Sequence, residues 1–227
     1  LLSTGELVSC TLVTMALRSQ GYDAISLSGF QAGIHTDTSH GRARIHRIDT
    51  ARVKGELTRG RVVVVAGFQG VTDSLAVTTL GRGGGDTTAV ALAVALEASV
   101  CEINTDVDGV YTADPRIVPQ ARVIPVMDFE TALELAASGG KVLHPRCVEL
   151  GAKFKMPIVV RQTFDNEESR RTKIVNQENA LESPVVSAVT LDKNVAKVTL
   201  RGTLSSSVMT DAFGKLAQAQ VNVDVIV

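Results

Sequence analysis

The run Gly81-Arg82-Gly83-Gly84-Gly85, followed at once by Asp86, concentrates more chemical potential than any other stretch of the chain. A strand-like segment, Leu75–Leu80, leads into it, and an Ala/Val/Leu helix leaves it. Glycines admit positive φ and let a backbone approach a ligand closely. The N–H groups that open a helix lack intrahelical acceptors and sit at the positive end of its dipole, so anions bind there. Arg82 adds a planar fork of donors suited to a carboxylate or phosphate. Asp86 is placed to cap the helix, to meet a substrate ammonium or to orient a catalytic lysine. This is the chemistry of a site for a small anion or a phosphorylated ligand. An ordinary α/β corner also reads strand, glycine turn, helix, but consecutive glycines lose much backbone entropy on folding for a mere corner. No Lys-Ser/Thr follows the glycines, as a Walker A loop requires, and Asp86 stands where a dinucleotide fingerprint has its third glycine.

A second group, Asp106, Asp108, Tyr111, Asp114 and Arg116, lies in DVDGVYTADPR, just past the end of a strand expected over Val100–Thr105. In open α/β sheets ligands bind beyond the carboxyl ends of strands. Turn chemistry accounts for Asp108-Gly109 and Asp114-Pro115 but not for Tyr111 or Arg116. Lys141 follows the pair Gly139-Gly140 and is placed to reach a phosphate, although a lone lysine is more often simply solvated.

The elements that must hold these residues follow from periodicity. Helices are expected over Glu6–Ser19, Thr50–Thr58, Thr87–Ala98, Phe129–Ser138 and Pro145–Lys155. Strands are expected over Ala24–Ser28, Ile45–Ile48, Arg61–Phe68 and Pro157–Gln162, with a Gly/His/Asp-rich connection at Gly29–Gly41. The RVVVVAGF run has the continuous apolar character of a strand buried on both faces, and the helix after the glycines is apolar all round, as one buried between layers is. From Asp165 to Pro184 the composition turns polar and charged, which reads as linker. Beyond it, strands are expected over Val185–Leu191 and Val195–Leu200, a helix over Val208–Gln220 and a last strand from Asn222. The opening Leu1-Leu2 and the alternating Val223–Val227 read as ends of a fragment.

Composition sets the bounds. The chain has 227 residues, net charge −1, 44% hydrophobic and 21% charged residues, and no Trp. That is a globular α/β domain with a smaller piece attached. It carries no global field to recruit nucleic acid or an anionic membrane, and its longest apolar run is far short of the roughly 20 residues that span a bilayer. Cys10, Cys101 and Cys147 are scattered, which argues for a reducing cytoplasm and against a disulfide framework. The four histidines, His35, His40, His46 and His144, lack metal-ligand spacing and read as surface or locally hydrogen-bonded residues.

The segments LLSTGELVS, QAGIHTD, VVVAGFQG, TTLGRGGGDTTAVALA, TDVDGVYTADPR and GGKVLHPR resemble, in order, the signature blocks of the aspartate kinases, within the amino-acid kinase fold family. The tail, VTLDKNVAKVTLRG through FGKLAQAQVNVDVIV, resembles the ACT regulatory module that follows the kinase domain there. The resemblance implies a three-layer α/β/α fold with a mainly parallel central sheet, followed by a partial α+β ACT-like module. Residues 1–164 would form an N-terminally truncated kinase domain, 165–184 a linker and 185–227 part of the ACT domain. The implied reaction is ATP-dependent phosphorylation of the side-chain carboxylate of L-aspartate, the first step toward lysine, threonine and methionine.

By position, the resemblance assigns Glu6 to the substrate ammonium, Arg82 to a carboxylate, Gly83 and Gly85 to the substrate loop, and Asp86 to the transfer site. It assigns Thr105, Asp106, Tyr111 and Arg116 to the nucleotide and Lys141 to its phosphates. Mg²⁺ would ride on the ATP phosphates without a dedicated protein site. Asn222, Val223 and Asp224 would belong to an effector-binding or oligomer-forming edge, with lysine or threonine as effector and a homo- or hetero-oligomer as the assembly. Departures are the absent opening K-F-G-G-T-S strand, Gly85 for the usual serine, Gly140 for the usual alanine, and GTLSSSVM in place of an Asp/Pro-containing turn. Without the opening lysine, the chain as given is expected not to phosphorylate aspartate. Two alternatives are a catalytically inactive fragment or subunit, and a regulatory amino-acid-binding module.

Overall fold

The computed structural model describes residues 1–140, 142–164, 170–176, 186–191, 196, 198–202, 205–219, 221 and 223. They fall into two compact units, Leu1–Leu191 and Asp192–Val227.

In the first unit, helix α1 (Leu2–Ser19) precedes β1 (Ala24–Leu27), β2 (Ile34–Thr36), β3 (Ile45–Ile48), α2 (Ala51–Thr58), β4 (Val62–Val65), β5 (Gln69–Val71) and β6 (Val77–Thr79). There follow α3 (Gly84–Ala95), β7 (Cys101–Thr105), β8 (Val126–Asp128), α4 (Phe129–Ala137), α5 (Pro145–Phe154), β9 (Ile158–Gln162) and β10 (Arg171–Val175). The strands form a pair β1-β4 and two four-stranded sheets ordered β7-β9-β10-β8 and β3-β2-β5-β6. Pairing is parallel in β1-β4, β2-β5, β7-β9 and β8-β10, and antiparallel elsewhere. The α/β architecture agrees with expectation, and its sheets are mixed.

Helix α3 separates two cores, as its all-round apolar sequence requires. Val90 and Ala93 join a cluster with Ile103, Phe129, Cys147, Val148, Ile158 and Ile174, whereas Leu92 and Leu96 pack on Leu27, Ile34 and Val53. The flanking helices begin where side chains supply caps. Asp128 accepts from the Thr131 N–H at 2.7 Å to start α4, and His144 Nδ1 accepts from the Arg146 N–H at 3.3 Å to start α5. Pro145 follows at the first helical position, where its missing N–H is not needed.

Four expectations change in this unit, the first being that β2 forms inside the Gly29–Gly41 stretch expected as a connection. The RVVVVAGF run is not sandwiched: β4 pairs only with β1 among the described residues, and none of its four residues is fully buried. A strand, β10, lies within the segment whose composition reads as linker. It is inserted between β8 and β9, and Thr172 and Ile174 are 0% exposed, because two inward residues suffice to seat a strand whose neighbouring positions include the charged Arg171 and Lys173. Residues 186–191 form no strand, since the Val189 N–H donates to Thr112 O at 2.8 Å and the Thr190 hydroxyl to Ser138 O at 2.8 Å.

In the second unit, α6 (Ser206–Gln218) starts where the Ser205 hydroxyl accepts from the Val208 N–H at 3.4 Å. The described residues among 195–200 form no strand, and the strand expected from Asn222 lies mostly outside the described residues.

Candidate functional site

The glycine run is built as a tight turn onto α3. Gly81 and Gly83 have φ of 76° and 70°, and Gly83 is the N-cap residue. A Cβ at Gly83 would lie 2.2 Å from His144 Cγ, so the imidazole ring rests on that backbone. Asp86 is not the cap expected of it: it is the third residue of α3 and receives no hydrogen bond from the described residues. With a glycine at the cap, the Gly85 and Asp86 N–H groups have no acceptor among the described residues, which leaves two aligned donors at the positive helix end.

Asp86 is half-buried, and burial pushes its carboxyl above the usual carboxylate range, against a smaller opposing pull from His144. Burial and the Asp86 charge raise two neighbouring thiols, Cys101 to about 11 and Cys147 to about 12. All three cysteines are free and buried, as their scattered, apolar settings suggest. Arg82 is exposed and has no ion pair among the described residues. Glu6 lies exposed near the start of α1, and Gly85 faces open space.

One organising residue escaped the sequence reading. Arg146, in the first turn of α5, donates from Nη1 to Leu80 O at 2.7 Å and from Nη2 to Ala43 O at 3.0 Å. It thereby ties the entrance of the glycine turn to the β2–β3 connection. The GGKVLHPR block shows an arginine after His-Pro at a helix start but carries no signal for its distant acceptors, which are backbone carbonyls. Among the histidines, His144 is locally bonded as expected, but His35 Nδ1 is buried without a partner among the described residues.

The loop beyond β7 holds the second group. The Thr105 hydroxyl donates to Asp106 Oδ1 at 3.1 Å, and the Tyr111 hydroxyl to Asp108 Oδ2 at 2.9 Å. Arg116 is held locally: its Nε and Nη2 donate to the two Asp114 oxygens at 3.0 and 2.9 Å, so turn chemistry engages it after all. The Thr172 hydroxyl of β10 accepts from the Val110 N–H at 2.8 Å and anchors the loop to the sheet. No hydrogen bond or ion pair among the described residues joins this loop to Arg82, Asp86 or Glu6. Lys141, Asn222 and Asp224 lie outside the described residues, and Val223 belongs to no helix or strand.

Residues 1–162 match the amino acid kinase family. The chain belongs to that family. Among individual proteins, this amino acid kinase is 47% identical to an aspartate kinase of Pseudomonas putida, over 100% of the chain and 55% of that protein. Its structure is similar to E. coli aspartokinase III in complex with lysine and aspartate, in the T-state: TM-score 0.80, 32% identity, 100% of this chain and 52% of that one. The same enzyme with aspartate and ADP, in the R-state, gives a TM-score of 0.76 at 31% identity, over 98% and 51%. The chain spans about half the length of these relatives. No helix among the described residues is long and apolar enough to cross a membrane.

Proposed function

We propose that the protein acts as an aspartate kinase, transferring the γ-phosphoryl group of ATP to the side-chain carboxylate of L-aspartate. One observation carries the proposal: two N–H groups and an arginine without partners among the described residues meet a half-buried aspartate at the start of α3, in a chain that aligns with aspartate kinases throughout.

The reaction forms a bond from a carboxylate oxygen to phosphorus and breaks the bond to the oxygen of ADP. The attacking carboxylate is already an anion, so the site needs no base to create its nucleophile. The barrier is repulsion between two anions, met by positioning and fixed positive charge. The amide pair at the start of α3 supplies such charge without reorganisation. Arg82 holds the α-carboxylate of aspartate, Glu6 takes its ammonium, and Asp86 orients the cationic groups of the transfer site. Thr105, Asp106, Tyr111 and Arg116 flank the nucleotide, with Lys141 at its phosphates.

No cluster of three or more His, Cys, Asp or Glu among the described residues could hold a metal ion. Mg²⁺ would be carried by the nucleotide phosphates, with Asp86 or Asp106 able to add a carboxylate, and would neutralise phosphate charge there. The buried free thiols suit a reducing cytoplasm. A regulatory role for the C-terminal unit, with lysine or threonine as effector through Asn222–Asp224, and oligomerisation there extend the same proposal.

Hydroxylamine traps aspartyl phosphate as a coloured hydroxamate. The assay is run on residues 1–227 and on the same chain preceded by the family's lysine-bearing opening strand. Aspartate-dependent hydroxamate from the extended chain, abolished there by Asp86→Asn, is the expected result, with little or none from residues 1–227 alone. No colour above an L-glutamate control in either form refutes the proposal.

A further inference from the structure

A concavity lies beside α3. The β2–β3 connection, the glycine turn, α3 and α5 enclose a cleft of about 810 Å³. Its walls carry Arg42, Arg44, Arg47, Arg82, Arg146 and Lys153 against one carboxylate, Glu149. In a chain of net charge −1, that is a marked local concentration of positive charge. Three of these cations have partners: Arg146 bonds the Leu80 and Ala43 carbonyls, Arg44 lies beside Asp37, whose carboxyl is held low chiefly by the Ser39 N–H and to a smaller extent by Arg44, and the Lys153 ammonium lies 5.4 Å from the Phe154 ring centroid. Arg42, Arg47 and Lys153 have no ion-pair partner among the described residues.

The floor is apolar, with Ala91 and Val94 from α3 and Leu150 and Phe154 from α5. Thr87, Ala91 and Val94 share one face of α3, while Asp86 projects about 100° around the helix from Thr87. Neither Asp86 and Glu6 nor the loop after β7 lines this cleft. It therefore adjoins the proposed transfer centre along Gly81, Arg82 and His144, while its remaining lining lies outside that centre.

Guanidinium forks and an ammonium around an apolar floor select for separated anionic groups on a short apolar body. We propose that the cleft binds a small polyanionic metabolite, bearing phosphates or several carboxylates, as a second site. Such an occupant competes for Arg82, and that one consequence rests on the aspartate kinase reading.

Calorimetric titration tests the site in the full chain at fixed ionic strength, with excess ADP present to fill any nucleotide site. Tripolyphosphate and citrate are the probes, and the one that binds shows whether phosphates or carboxylates are preferred. Saturable binding of either is expected, weakened at least tenfold by Arg47→Glu with Lys153→Glu. Circular dichroism verifies folding, and Arg47→Gln with Lys153→Gln replaces the pair if charge reversal unfolds the chain. The proposal is overturned if neither probe binds, if binding survives the substitutions, or if equivalent NaCl reproduces the signal. It is also overturned if sedimentation shows instead a dimer that charge reversal dissolves, since the cleft then serves a second copy. Because the readout is binding, failure of the kinase reading leaves the test intact.

Discussion

Two glycines of one turn should respond to alanine in opposite directions. At Gly83 the backbone has φ of 70°, and an L residue there costs roughly 1–2 kcal/mol. The new Cβ would also lie 2.2 Å from His144 Cγ, so the imidazole must leave. With it goes the Nδ1 acceptor 3.3 Å from the Arg146 N–H, and loss of a helix cap costs about 0.5–2 kcal/mol. Gly83→Ala should therefore destabilise the fold by roughly 1.5–4 kcal/mol. Gly85 has no positive φ, and nothing lies within 4 Å of the position its methyl would take. Gly85→Ala should therefore be neutral or gain about 0.5–1 kcal/mol from reduced backbone entropy. Urea denaturation followed by far-UV circular dichroism measures both. A Gly83→Ala midpoint at or above that of Gly85→Ala would refute the reasoning, because it would show that the turn relaxes without regard to His144.

Arg82→Ala should raise the KM for aspartate and lower kcat by a combined 2–4 kcal/mol or so, with ADP affinity little changed; steady-state hydroxamate kinetics and ADP titration test this together. Asp86→Asn should abolish transfer yet stabilise the fold. The raised folded-state pKa means that ionising Asp86 destabilises the native state as pH climbs past the unfolded value, so the mutant's advantage should be present at pH 7 and vanish in acid. Glu56, whose carboxyl is held low chiefly by the Arg61 guanidinium at 2.9 Å, has the opposite sign: its advantage over Glu56→Gln should be full at neutral pH and disappear as pH falls through the folded-state value. Cys101 and Cys147, with pKa raised to about 11 and about 12, should resist a disulfide reagent at pH 8 until denaturant is added; prompt labelling of the native chain counts against their burial.

The sequence was most legible where local pattern and tertiary role agree. The apolar helix after the glycines had to be buried on all sides, and α3 does separate two cores. The glycine turn announced itself because few folds need so many permissive residues at one corner. Legibility failed where a long-range partner decides the outcome. Nothing local marks Arg146 as the link between two loops, since its acceptors are the Leu80 and Ala43 carbonyls and a carbonyl carries no sequence signal. The valine run suggested a central strand, yet burial depends on neighbours that periodicity does not count. In Asp165–Pro184 the average polarity hid a strand seated by Thr172 and Ile174.

That strand sets where the chain can be shortened. The family match ends at residue 162, and β10 begins at Arg171. A protein trimmed to the family boundary would lose the one strand that pairs with β8 among the described residues and strip β9 of one neighbour, opening two sheet edges at once. It would also lose Thr172, the acceptor for the Val110 N–H in the loop before Tyr111. During synthesis the same dependence delays closure of this sheet until residue 175 has left the ribosome, although β8 was made far earlier. The minimal folding unit is therefore longer than the family signature, and the loop that flanks the proposed nucleotide is the last part of it to be fastened.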